Sequence, residues 1–103
     1  MTFSRWSCGC QDADGILFPL YHSSSQWAKF KNADVDKALE AGRTSLADAD
    51  RVAAYRRALE IAEANIPLVP LYQAAILYGA RKEVMWTPTP NESFFLNRIT
   101  WKD

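Results

Sequence analysis

Apolar positions recur with a helical period in two stretches of the chain and follow no period in the rest. Val52, Tyr55, Leu59, Ala62 and Ile66 are spaced by three and four residues, the stripe of an amphipathic helix. Asp48 or Ser45 is expected to cap this helix. Pro67 is expected to end it, because a proline pushes the residue before it out of the helical region. Tyr55 lies on the stripe and reads as core packing rather than a ligand contact. Arg56 and Glu60 are four apart and are expected to pair across one turn, for about 0.3 kcal/mol. A shorter helix should start at the N-cap Asn32, whose side-chain oxygen can accept a first-turn N–H. It should run to about Ala41, with Val35, Leu39 and Gly42 on one face and Ala38 widening it. Gly42 is the expected stop.

The remaining stretches are read from composition and punctuation. Thr2 to Trp6 alternates in the manner of a short strand. Ser7 to Gly15 is small and polar, a loop punctuated by Gly9 and Gly15. Ile16 to Tyr21 is an apolar run too short for its period to be read, and Pro19 suits the first turn of a short helix or an edge strand. Leu68 to Tyr78 is almost wholly apolar. It is expected to be a strand buried on both faces, or covered by the helix before it, with an edge or bulge at Pro70. Gly79-Ala80-Arg81-Lys82 breaks that pattern. Val84 to Trp86 is a further short strand, Thr87 to Asn91 an extended linker, and Ser93 to Trp101 a closing apolar stretch. The expected class is α+β, two helices packed on a few strands.

Size and charge narrow the partners. A chain of 103 residues makes one domain at most and buries roughly two-thirds of its unfolded surface. Twelve basic residues balance twelve acidic ones, so no net field draws nucleic acid or anionic lipid. No segment approaches the roughly 20 apolar residues that span a bilayer. The start, Met1 to Trp6, has no apolar core of a signal peptide, and none is expected in this chain. Aromatic residues make up 13%, more than so small a domain buries, so some should face a ligand cleft, a partner or the body of a larger parent.

Candidate chemistry is sparse. Cys8-Gly9-Cys10, with His22 as a third ligand, has neither the spacing nor the second pair of a zinc site, so no metal is expected. A disulfide between residues two apart is geometrically unfavourable, and two small thiols packed in a loop are expected instead. A nucleophilic cysteine with His22 as base would be the enzyme reading, yet nothing nearby resembles an oxyanion loop. Asp12 and Asp14 are expected to be solvated or capping. There is no glycine-rich phosphate loop, so neither an enzyme nor a cofactor is expected.

The order of these pieces resembles a known family. Asn32 to Tyr72, two charged helices running into Ile66-Pro67-Leu68-Val69-Pro70-Leu71-Tyr72, and the Trp6-to-Ser23 segment are similar to the C-terminal part of the family 5 solute-binding proteins of ABC importers. Those proteins carry peptides, nickel complexes and related solutes. The resemblance implies a C-terminal fragment of a two-lobed, type II periplasmic binding protein. Residues 1–79 would belong to the C-terminal, ligand-binding lobe. Residues 80–103 would cross a hinge at Ala80, Arg81 and Lys82 and return to a lobe not contained here. Trp6, Ser7, Cys8, Gly9 and Cys10 would line the ligand cleft. In peptide-binding members an Asp stands three residues past the tryptophan and pairs with the peptide's α-amino group. Gly9 stands there in this chain, a departure that argues against capture by a free amine and leaves the backbone open to close approach. The implied partners are a small solute or peptide and, through the parent, an ABC permease, with the parent periplasmic or extracytoplasmic. The alternative is a stand-alone, non-enzymatic interaction module from a truncated gene, self-associating through exposed aromatics.

Overall fold

The computed structural model describes residues 3–102. They form two compact units, one ending at Pro70 and the other beginning at Leu71. The first is helical: α1 (Asp14–Tyr21), α2 (Ala33–Thr44) and α3 (Asp48–Asn65). The second holds an antiparallel ladder of β1 (Val84–Met85) and β2 (Thr100–Trp101), joined through a 3-10 turn at Leu96–Arg98. Three helices and one short antiparallel ladder agree with an α+β chain.

Helix α2 starts as its sequence dictates. Asn32 Oδ1 accepts the N–H groups of Asp34 at 2.9 Å and Val35 at 3.2 Å, satisfying two first-turn donors. Asp34 and Asp36 place negative charge at the positive end of the helix. Val35 and Leu39 are fully buried and, with Tyr55 and Ala58 of α3, form the core. Leu17, Phe18 and Tyr21 of α1, together with Phe30, Ala38 and Ile61, pack around it.

Gly42 does not stop α2. The helix continues to Thr44, and Gly42 is buried inside it. A β-carbon there would lie 2.6 Å from Cε1 of Tyr55. The missing side chain therefore makes room for a ring on α3. The turn that does end α2 is closed by Ser45, whose N–H and hydroxyl both reach Ala41 O, at 3.1 and 2.8 Å.

The buried stripe of α3 is Tyr55, Ala58 and Ala62. Val52 and Ile66, expected on it, are 56% and 70% exposed. Ala58 packs in the core with Val35 and Leu39 of α2, and Ala62 is buried one turn further on. Ala47, not Asp48 or Ser45, holds the N-cap position, and it makes no side-chain cap. The ion pair of this helix's surface joins Glu60 to Arg57 at 3.8 Å rather than to Arg56. At the far end Ile66 leaves the right-handed helical region, which its following proline disfavours, and takes the left-handed φ 47°, ψ 52° while its N–H still bonds Ala62 O and Glu63 O.

The strands expected at 3–6 and 68–78 are not formed. Thr2, where the first was to begin, lies outside the described residues. In the second, Val69, Leu71, Tyr72 and Leu77 are 64–92% exposed. A strand needs a neighbour for its backbone groups, and the described residues supply none to either segment.

In the second unit Val84 pairs with Trp101 and Met85 with Thr100. Lys102 N–H extends the ladder to Glu83 O at 2.7 Å. The segment from Thr87 is not an extended linker. It bends at Pro90–Asn91, where Glu92 N–H bonds Thr89 O at 3.3 Å and Thr89 Oγ1 donates to Ser93 O at 2.8 Å. The bend brings Phe94 back onto Trp86 in a stack at 5.0 Å, with Tyr78 edge-on to both at 5.0 and 5.7 Å.

Candidate functional site

The loop from Trp6 to Ala13, which leads into α1, gathers most of the chemistry-bearing side chains of the first unit. Its shape begins with Pro19, which lies inside α1. Proline has no N–H to donate one turn back, so the carbonyl of Gly15 loses its ordinary partner. The indole Nε1–H of Trp6 donates to that carbonyl at 3.1 Å. Trp6 is thereby fixed, half-buried, with its ring edge-on to Trp27 at 5.7 Å.

Between Trp6 and the helix the chain makes a tight turn. Gln11 N–H bonds Cys8 O at 3.1 Å, and Gln11 takes φ 54°. Cys8 and Cys10 are joined in a disulfide, where two packed thiols were expected. The turn sets their Cα atoms 5.2 Å apart, inside the range a bridge spans. The bridge seats on Gly15: a β-carbon added there would lie 2.6 Å from Cys10 Sγ and closer still to Cys8 Sγ. Gly15 is thus a close-approach residue in α1 rather than loop punctuation.

Asp12 accepts a backbone N–H at the start of α1, Asp14 does not cap, and each holds an arginine from α2 or α3. Asp12 Oδ1 accepts the Asp14 N–H at 2.8 Å, and both Asp12 oxygens accept from Arg51 Nη2 of α3, at 2.8 and 2.6 Å. Arg43 of α2 grips Asp14 with Nε and Nη2, at 3.0 and 2.8 Å, the fork geometry that suits a carboxylate. The bond to Asp14 holds Arg43 charged more firmly than usual, and its guanidinium lies over the Phe18 ring at 3.6 Å. Cys10, Asp12, Asp14, Gly15, Arg43 and Arg51 line a shallow, open depression. Its two carboxylates and two guanidinium groups are paired with one another.

Tyr55 lies beneath this rim, with Arg51 5.6 Å over its ring. Its hydroxyl is buried and has no hydrogen-bond partner. Burial first, and the Asp14 charge second, push its pKa up.

The expected candidates therefore divide. Trp6, Cys8 and Cys10 are brought together around Gly15, while Ser7 and the exposed Gly9 form the outer surface of the turn. His22 is buried away from this chemistry. It stacks on Phe18 at 4.1 Å, and Ser24 N–H donates to its Nδ1 at 3.2 Å. Its Nε2 faces Glu40 Oε1 at 3.3 Å. With both sulfurs bridged, the chain has no thiol for His22 to activate. Ala80, Arg81 and Lys82 are exposed in the second unit, where Arg81 and Lys82 begin a turn closed by the Val84 N–H bond to Arg81 O at 3.0 Å. Arg43 and Arg51 escape sequence reading because nothing local ties them to acids 29 and 39 residues away.

No family model matches the chain. Among curated proteins it is similar to the peptide transport periplasmic protein SapA of Salmonella typhimurium, with 29% identity over 102 residues. That alignment takes in 91% of this chain and 19% of SapA, so the chain spans about a fifth of its relative. No solved structure matches. The alignment covers most of both compact units.

Proposed function

We propose that this chain is part of the solute-binding component of an ABC importer, a C-terminal piece that forms one wall of a cleft for a small, peptide-like solute. The observation that carries the reading is the alignment of 91% of the chain with a peptide transport periplasmic protein. Two features of the chain support it. The apolar run after Pro67 lies exposed, with Leu77 at 92% and Tyr72 at 76%, as a segment belonging to a larger sheet would when that sheet is absent. The Trp6–Cys10 turn is fixed from behind by Gly15 and presents Ser7 and Gly9 outward, which suits a preorganised contact surface. In this reading residues 1–79 belong to the ligand-binding lobe, Trp6, Ser7, Cys8, Gly9 and Cys10 meet the ligand, and Ala80, Arg81 and Lys82 carry the hinge crossing. The parent is periplasmic and delivers its solute to a permease. Gly9 favours recognition through backbone groups over an ion pair with a free amine.

An immunoblot of fractionated source cells with an antibody to this chain tests the reading. The expected result is a species several times heavier than 11.7 kDa in the periplasmic fraction, releasing bound peptides to mass spectrometry on denaturation. A single 11.7 kDa band in the cytoplasm would overturn it and leave the self-associating module, which the same exposed apolar run favours.

A further inference from the structure

We propose that the Cys8–Cys10 bridge is a thiol–disulfide exchange site, with Cys10 Sγ the sulfur attacked and Cys8 the leaving thiolate. The bridge makes a poor staple. It joins residues only two apart, and a closed loop that short removes about half the unfolded-chain entropy of a 15-residue one. The α2–α3 core of Val35, Leu39, Tyr55 and Ala58 stands without it.

The two sulfurs are not equivalent. Cys10 is exposed and open to an incoming thiolate, whereas Cys8 is half-buried. The N–H of Cys10 donates to Cys8 Sγ at 3.2 Å, a bond that strengthens when that sulfur carries negative charge. Both sulfurs rest against Gly15 in the first turn of α1, where the helix dipole favours a thiolate on either, so the Cys10 N–H and the unequal exposure are what separate them. The carboxylates that would oppose such a charge, Asp12 and Asp14, are each held by an arginine. A better leaving thiolate on one side and a better exposed target on the other give the exchange its direction.

The reductant is a dithiol. One of its thiolates attacks Cys10 Sγ, the Cys8–Cys10 bond breaks, and its electron pair leaves on Cys8. The second thiolate of the reductant then attacks its own sulfur in the mixed disulfide and releases Cys10. Two electrons pass to the protein, and the dithiol becomes a disulfide. A monothiol such as glutathione does the same with two molecules. This proposal stands apart from the transport reading, because the sulfurs are assayed on the chain itself.

The test incubates the chain in a reduced–oxidised glutathione buffer that leaves structural disulfides intact, quenches with acid, alkylates with a maleimide and weighs the product. Two adducts per chain are expected. Two single-cysteine variants then separate the sulfurs. The Cys8 thiol of Cys10→Ser should alkylate about threefold faster at neutral pH than the Cys10 thiol of Cys8→Ser, because one unit of pKa raises a small thiolate fraction about tenfold and the weaker nucleophilicity of that thiolate takes back part of the gain. A bridge that opens only in denaturant would overturn the proposal. Equal alkylation rates would overturn the roles assigned to the two sulfurs.

Discussion

Tyr55 shows how one residue can serve a core and strain it together. Its ring fills the space left by Gly42, while its hydroxyl is buried without a partner. Replacing Gly42 with Ala sets a methyl group 2.6 Å from that ring. The overpacking should cost about 1–3 kcal/mol, more than the roughly 1 kcal/mol a helix gains from the change, so the melting temperature should fall. Tyr55→Phe removes the orphan hydroxyl and should leave stability unchanged or raise it by up to about 1 kcal/mol. Burial holds the pKa of Tyr55, and that of Tyr21, above the ordinary 10.0. The unfolded chain therefore releases these protons first as the solution becomes alkaline. Stability is full below pH 10 and declines as pH rises past it. Thermal melts between pH 8 and 11 should show that decline, and Tyr55→Phe should flatten it. An unchanged slope in the variant would assign the alkaline loss elsewhere.

At the scale of elements, α1 is held by a substitution of one donor for another. Pro19 cannot bond Gly15 O, and the indole of Trp6 takes its place at 3.1 Å. Trp6→Phe should therefore cost about 1 kcal/mol beyond any loss of packing on Trp27. With Pro19→Ala in the background, the new backbone N–H supplies the bond, and the cost of Trp6→Phe should shrink. Chemical denaturation of the four proteins in this cycle measures the coupling, expected at about 0.5–1 kcal/mol. Strict additivity would mean that the indole bond contributes nothing to α1. The arginine grips belong to the same scale: Arg43 ties the first residue of α1 to α2, and Arg51 ties the turn before α1 to α3. Both pairs are partly open to water, so their main effect is to fix the turn's position rather than to stabilise the fold.

At the scale of the molecule, exposed apolar surface predicts association. Leu71 and Leu77 are 64% and 92% exposed within a run that lacks a strand partner among the described residues. The isolated chain should sediment as a concentration-dependent mixture of monomer and larger species. Leu71→Lys with Leu77→Lys should shift it to monomer, and a wild-type chain monomeric at every concentration would remove that expectation. The sequence by itself determined what is local. Asn32 announced α2 through its own side chain, and Pro67 ended α3 through a clash with its immediate neighbour. Val35 and Leu39 fell on the buried face through their spacing. Tertiary structure decided what depends on a distant partner. Gly42 looked like a stop until the ring of Tyr55 filled its place. The bridge of Cys8 and Cys10 depended on a turn seated over Gly15. The salt bridges of Arg43 and Arg51 cross gaps in sequence that no period encodes. The run after Pro67 has the composition of a strand, but composition supplies only side chains. A strand also needs a second backbone beside it, and that is a property of the assembled fold.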